Sequence, residues 1–259
     1  MTVTLFSPLR PSRELHRQTQ RALKSHKEGR DHFTEITLTD GRRPCEMTVE
    51  YLVTATSPKS AERLGTVYLS QLCDLLSAVT RSPVEFHADP NDAIEERMRL
   101  GRRTMTIERK LTEQEWSWIT GSLVALRREH PRFLAAASWY RKGLTGKDCL
   151  EVFCCYWRVI ERIASTYADK SSWAPDERGV RKCVTQLTSD LFGPEDTPEL
   201  LADEDRVKAV IKLRNDISHG NLPISVDMIE KASDETDALE EAGFLVLERI
   251  RQNSLQIDV

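Results

Sequence analysis

Apolar residues follow two rhythms along this chain, and the change from one to the other organises it. In "HFTEITLTDGRRPCEMTVEYLVTAT", Ile36 and Leu38, then Met47, Val49, Tyr51 and Val53, alternate with polar neighbours, and Asp40-Gly41 lies between the runs. Period two on both arms, with a turn dipeptide suited to positive φ, predicts a β-hairpin. In "SAERLGTVYLSQLCDLLSAVT", Leu64, Tyr68, Leu72, Leu75, Leu76 and Val79 recur at three and four, the stripe of a half-buried helix. "SPVEFH" and "RRTMTIE" read as two more short strands. A small α+β module accounts for residues 1–110.

From Thr112 onward the period is that of helices. Thr112 with Glu115 three residues later forms a capping box that opens one of them. Pro131 interrupts or restarts it, and "GKDCLEVFCCYWRVIERIASTYA" is apolar nearly all round, as in the central helix of a bundle. Pro175 suits the first helical position of "APDERGVRKCVTQLTSDLF". "ELLADEDRVKAVIKLRNDISHG" is a helix that Pro223 keeps from running on, and Ser225 caps a long last helix carrying Met228, Ile229, Leu239, Leu245, Val246 and Ile250. The fold class expected is an α+β N-terminal module followed by an all-α antiparallel helical bundle over 111–259, mainly α overall.

Composition changes this picture little. Hydrophobic residues at 39% and charged residues at 30% describe a globular protein rather than a disordered one. The opening "MTVTLFSPLRP" has no apolar core of a signal peptide, and no run reaches membrane-spanning length. Six cysteines without a CxxC pair point to free thiols and a cytoplasmic setting, with no membrane, no cofactor and no metal expected. Charge is uneven: residues 1–150 hold 24 Lys+Arg against 19 Asp+Glu, and 151–259 hold 13 against 22, so +5 faces −9. The basic clusters "RPSRELHRQTQRALKSHKEGR" and "RMRLGRRTMTIERK" are solvated faces or, if nucleic acid is held, sources of phosphate contacts.

The chemistry that stands out is "LRNDISHG", Leu213 to Gly220, at the end of a predicted helix. A basic residue in a last turn followed by Gly also simply stops a helix. At 100° per residue, Arg214 and His219 lie about 140° apart around an ideal helix and about 7.5 Å apart along it. They share a face only if the helix unwinds near Gly220 and Pro223. His suits proton transfer near neutrality, and Arg offers a planar fork matched to phosphate oxygens. One chain supplies a single His after His130, so paired imidazoles require a two-fold dimer.

"RNDISHG" resembles the R-x4-H signature of the HEPN superfamily, small helical domains that often act as metal-independent ribonucleases. Arg214 matches its Arg, Asn215 the polar follower and His219 its His, over roughly residues 112–252. In "CYWRVIERIA", Glu161 matches the inward Glu common on an aromatic-rich core helix of such domains. The resemblance implies a HEPN-like bundle and a homodimeric endoribonuclease with Arg214, Asn215 and His219 catalytic and Glu161 and Asp216 supporting. Asp216 would fix an imidazole tautomer or face solvent. Such domains serve as toxins or antiviral defence effectors, so RNA and an antitoxin or defence-complex partner are the expected partners. Two alternatives stay open: a non-catalytic HEPN-like module for dimerisation or for nucleotide or protein binding, and a capped helix whose Arg214 pairs with a carboxylate such as Glu161.

Weaker signals compete. Glu108 and Lys110 with Asp89 or Asp92 outline a PD-(D/E)xK nuclease core, in which carboxylates hold Mg²⁺. Trp116, Trp118, Trp139 and Tyr140 could stack bases, but their helical spacing favours the core. GxxxxGK[ST], GxSxG and HExxH are absent.

Overall fold

The structure, a computed structural model, describes residues 2–18, 32–41, 43, 45–86, 109–174, 179–255 and 257. The chain divides into two compact units, Met1–Glu129 with Ile257–Val259, and His130–Gln256.

In the first unit the strands are β1 (Thr2–Phe6), β2 (Leu9–Pro11), β3 (Leu15–Gln18), β4 (His32–Asp40), β5 (Glu46–Thr54), β6 (Glu85–Phe86) and β7 (Arg109–Leu111). Five form one sheet in the order β3-β4-β5-β1-β6, and β2 pairs with β7 in parallel. The expected hairpin is β4–β5, with Ile36 opposite Tyr51 and Leu38 opposite Val49, all buried. Alternation therefore delivers one apolar face to the core. Its connection differs from the expected Asp-Gly turn. β4 ends at Asp40 and β5 begins at Glu46, the Gly41 N–H donates to the Glu46 carbonyl at 3.0 Å, and the positive φ of 62° falls on Cys45. The strand expected over "RRTMTIE" falls on residues 102–108, outside the described residues.

Among the described residues, two helices complete this unit: α1 (Pro58–Thr80) and α2 (Glu113–Glu129). The six-residue stripe read for α1 is buried throughout. The capping box at α2 is formed, Glu115 N–H donating to Thr112 Oγ1 at 3.2 Å and Thr112 N–H to Glu115 Oε2 at 2.9 Å. Because α2 packs on α1 and β3, the contact boundary falls between Glu129 and His130 rather than near residue 110.

The second unit is helical: α3 (Pro131–Thr145), α4 (Cys149–Tyr167), α5 (Val180–Leu191), α6 (Glu199–Ala202), α7 (Glu204–His219) and α8 (Val226–Asn253). Pro175 lies outside the described residues. Asp148 caps α4, its Oδ1 accepting from Glu151 N–H at 2.8 Å. As its sequence predicts, α4 is central: it packs against α3, α5, α7 and α8, burying Phe153, Tyr156, Trp157, Ile160 and Ile163 among others. Each such side chain contributes about 1.5–3 kcal/mol on burial. The α3–α4 approach is close, since a Cβ on Gly143 would overlap the Tyr156 ring. Ser225 caps α8, accepting from Met228 N–H at 3.2 Å. Ile229, expected in the core of that helix, is instead 43% exposed. The six cysteines are free, and Cys73, Cys154, Cys155 and Cys183 are buried. Among the described residues, no helix is long and apolar enough to cross a membrane.

Candidate functional site

Helix α7 is held at its start and closed at its end. Asp203 caps it, accepting from the N–H groups of Asp205 and Arg206 at 2.9 and 3.0 Å. Arg206 ties it to α8 through Glu235 at 2.9 Å and also meets Glu199 at 3.2 Å. Val207 and Val210 supply its buried side. At the far end Gly220 adopts φ 62° and ψ 32°, a left-handed conformation that suits glycine. The Gly220 and Asn221 N–H groups both donate to the Asp216 carbonyl, the latter at 3.2 Å.

This closure removes the unwinding that would let the motif share one face. His219 is the last helical residue and is exposed. Arg214 turns instead toward α4, where its guanidinium forms an ion pair with Glu161. The two side chains are only 19% and 21% exposed. Asn215 accepts from Arg214 Nη1 at 2.8 Å through its Oδ1, so it orients the guanidinium. Arg214 Nε is buried without a hydrogen-bond partner. Asp216 is half-buried, and its Oδ1 accepts from Asn221 Nδ2 at 3.4 Å at an exposed position rather than from an imidazole. The chain thus brings Arg214, Asn215 and Glu161 together and leaves His219 apart.

Around Arg214 opens a cleft of about 480 Å³ lined by Trp139, Arg158, Glu161, Arg162, Ser165 and Arg214. On α4, Arg158, Glu161, Arg162 and Ser165 stand at i, i+3, i+4 and i+7, hence on one face. Trp139, expected in the core, is only half-buried and carries two cations. The Lys142 ammonium and the Arg158 guanidinium carbon each lie 4.4 Å from its ring centroid. Its neighbour Tyr140 is fully buried, as is nearly all of Trp116. About one turn before Arg158 on α4, burial pushes the Cys155 thiol up to about 11 and raises that of Cys154, whose Sγ is 3.8 Å from Ser218 Oγ. These thiols are filling rather than nucleophiles.

The sequence points to Arg214, Asn215 and Glu161, weighs Trp139 for stacking but favours the core for it, and marks neither Arg158 nor Arg162. The signal available was the i, i+4 pair of arginines flanking Glu161, which resembles an ordinary solvated helix face until α3 is packed beside it. Beyond the motif, Leu222, Ile224 and Val226 are 56%, 71% and 72% exposed, and with Ile229 they form a run of uncovered apolar side chains.

Of the magnesium-nuclease set, Glu108, Asp89 and Asp92 fall outside the described residues. Among the described residues, no three of His, Cys, Asp and Glu converge as a metal site would need. Compared with known proteins, the chain matches no family model, no curated protein and no solved structure.

Proposed function

We propose that the chain is a metal-independent endoribonuclease of the HEPN type, acting as a homodimer whose second unit is a HEPN-like bundle. The observation that carries this reading is the division of the motif. Arg214 faces a cationic cleft with Asn215 bonded to it, while His219 stands exposed on a closed helix end. A guanidinium and an imidazole so separated meet at one phosphodiester only when a second copy supplies the missing partner. The exposed run from Leu222 to Ile229 adjoins His219 and offers an apolar surface for that copy.

The reaction needs no group beyond these side chains. One neutral His219 takes the proton of the substrate 2′-hydroxyl as its oxygen attacks phosphorus. The 5′-oxygen leaves with a proton from the second copy's protonated His219, giving a 2′,3′-cyclic phosphate and a 5′-hydroxyl. Arg214 stabilises the phosphorane charge, Asn215 holds the guanidinium in plane, Glu161 anchors it and Asp216 fixes the helix end. A toxin or antiviral defence role, with an antitoxin or defence-complex partner, follows from the HEPN resemblance alone.

The Arg214–Glu161 ion pair also favours a second reading, a non-catalytic HEPN-like module for dimerisation or ligand binding. Incubation with RNA in EDTA separates the two. The proposal expects cleavage with cyclic phosphate ends, loss of cutting in His219→Ala with an unchanged melting curve, and loss in Arg214→Lys, which keeps charge for Glu161 but not the fork. Absence of cleavage by the wild-type dimer supports the binding module, and cleavage abolished by EDTA points to Glu108 and Lys110.

A further inference from the structure

The cations in the α3–α4 cleft exceed what the Arg214–Glu161 pair uses. Among the described lining residues Glu161 is the only carboxylate, and it is committed to Arg214. Among the described residues, no carboxylate pairs with Arg158, Arg162 or Lys142. Three guanidiniums against one carboxylate leave the described lining at +2, in a half of the chain that carries −9. Such a local excess, against the sign of its surroundings, marks a place where an anion is held.

Geometry narrows the anion. Trp139 carries the Arg158 guanidinium at 4.4 Å, and a guanidinium lying on an indole face keeps its in-plane N–H donors free. The stack orders that long side chain before any ligand arrives, which lowers the entropy lost on binding. Arg162 is one turn further along the same face, and Arg214 offers a buried Nε with no acceptor. A carboxylate is satisfied by one fork. Several unspent donor groups converging from two helices suit the three or more oxygens of a phosphate. The volume of about 480 Å³ also lies within the range of about 300–1,000 Å³ that holds a small molecule.

We infer that Arg158, Arg162 and Arg214, with Trp139 ordering the first of them, form a phosphate-binding site for a nucleotide. The nucleotide is either free or part of an RNA strand. The site adjoins the proposed cleavage centre through Arg214 but does not depend on cutting.

The test uses a fluorescent 2′-O-methyl RNA octamer, which has no 2′-hydroxyl to attack phosphorus, so a failure of the ribonuclease proposal leaves this readout intact. Anisotropy is measured with the full chain, with unlabelled octamer, AMP, inorganic phosphate and adenosine as competitors. Saturable octamer binding is expected, at least about tenfold weaker in both Arg158→Gln and Arg162→Gln, since each removes a charge-assisted contact. Lys208→Gln, an equal charge change elsewhere on the unit, should bind as wild type. AMP should compete and adenosine should not. AMP competing as tightly as the octamer identifies a free mononucleotide as ligand, and much tighter octamer binding identifies a strand. No saturable binding of octamer or AMP, or unchanged affinity in both arginine variants, overturns the assignment.

Discussion

Removing Glu161 should separate the two duties of Arg214. The pair is about four-fifths buried on both sides, between an exposed pair worth about 0.2–1 kcal/mol and a fully buried one whose breakage costs about 3–5 kcal/mol. Glu161→Ala leaves a charged guanidinium in the cleft with only Asn215 as acceptor and an Nε that already has none. The expected loss is about 1–3 kcal/mol, or a fall in Tm of about 2–12 °C at about 2–4 °C per kcal/mol. Arg214→Ala strands the carboxylate and should cost a similar amount. The double variant should then be more stable than the two losses summed, with a coupling of about 1–2 kcal/mol. Urea titration of all four proteins, followed in the transition of the helical unit, measures this directly. Additive losses, with coupling below about 0.3 kcal/mol, refute the view that these side chains hold each other. Glu161→Gln, by contrast, raises the lining charge and should tighten AMP binding while still lowering Tm.

Three further predictions concern other parts of the chain. Gly220→Ala meets no steric obstacle but forces a side chain into φ 62°, so a loss of about 1 kcal/mol in thermal melting is expected, and a neutral result refutes the closed helix end. Toward a thiol reagent at pH 8, the half-buried Cys45 and Cys149 should react in the native protein, while Cys73, Cys154, Cys155 and Cys183 wait for unfolding. Fast reaction of Cys155 would contradict its thiol value of about 11. Burial pushes the Glu115 carboxyl up, but hydrogen bonds from Arg109 and Thr112 outweigh it and hold the group below its ordinary value. Its stabilisation is therefore present above about pH 4.3 and lost as pH falls through the lower folded value. The Tm gap between wild type and Glu115→Gln should be open at pH 7 and close in strong acid.

What the sequence made legible was local. The α1 stripe, the Thr112–Glu115 box, the Ser225 cap and the β4–β5 alternation each depend on residues within a few positions, and each is present. Strands β1 to β3 were not foreseen. They are short, and their pairing partners lie 17 to 100 residues away, where period alone says nothing. Ile229 kept the helical period yet remains exposed, because period reports a stripe and not whether a neighbour covers its first turn. In the site, helix geometry foretold that Arg214 and His219 diverge, and the fraying that would reunite them is prevented by the Gly220 closure. The Arg158–Trp139 stack was hidden for another reason: it exists only once α3 lies beside α4.

That juxtaposition rests on a residue with no chemistry of its own. Gly143 and Tyr156 touch where α3 and α4 run past each other, and Trp139 and Arg158 meet one turn along the same seam. Their paired numbers nearly share a sum, as partners across two antiparallel helices do, so one contact sets the sliding offset for the other. Enlarging residue 143 would ratchet the helices and draw the indole off the guanidinium. Homologous chains should therefore vary at 143 and 156 in concert, with alanine or larger at the first only where something slimmer than tyrosine stands at the second.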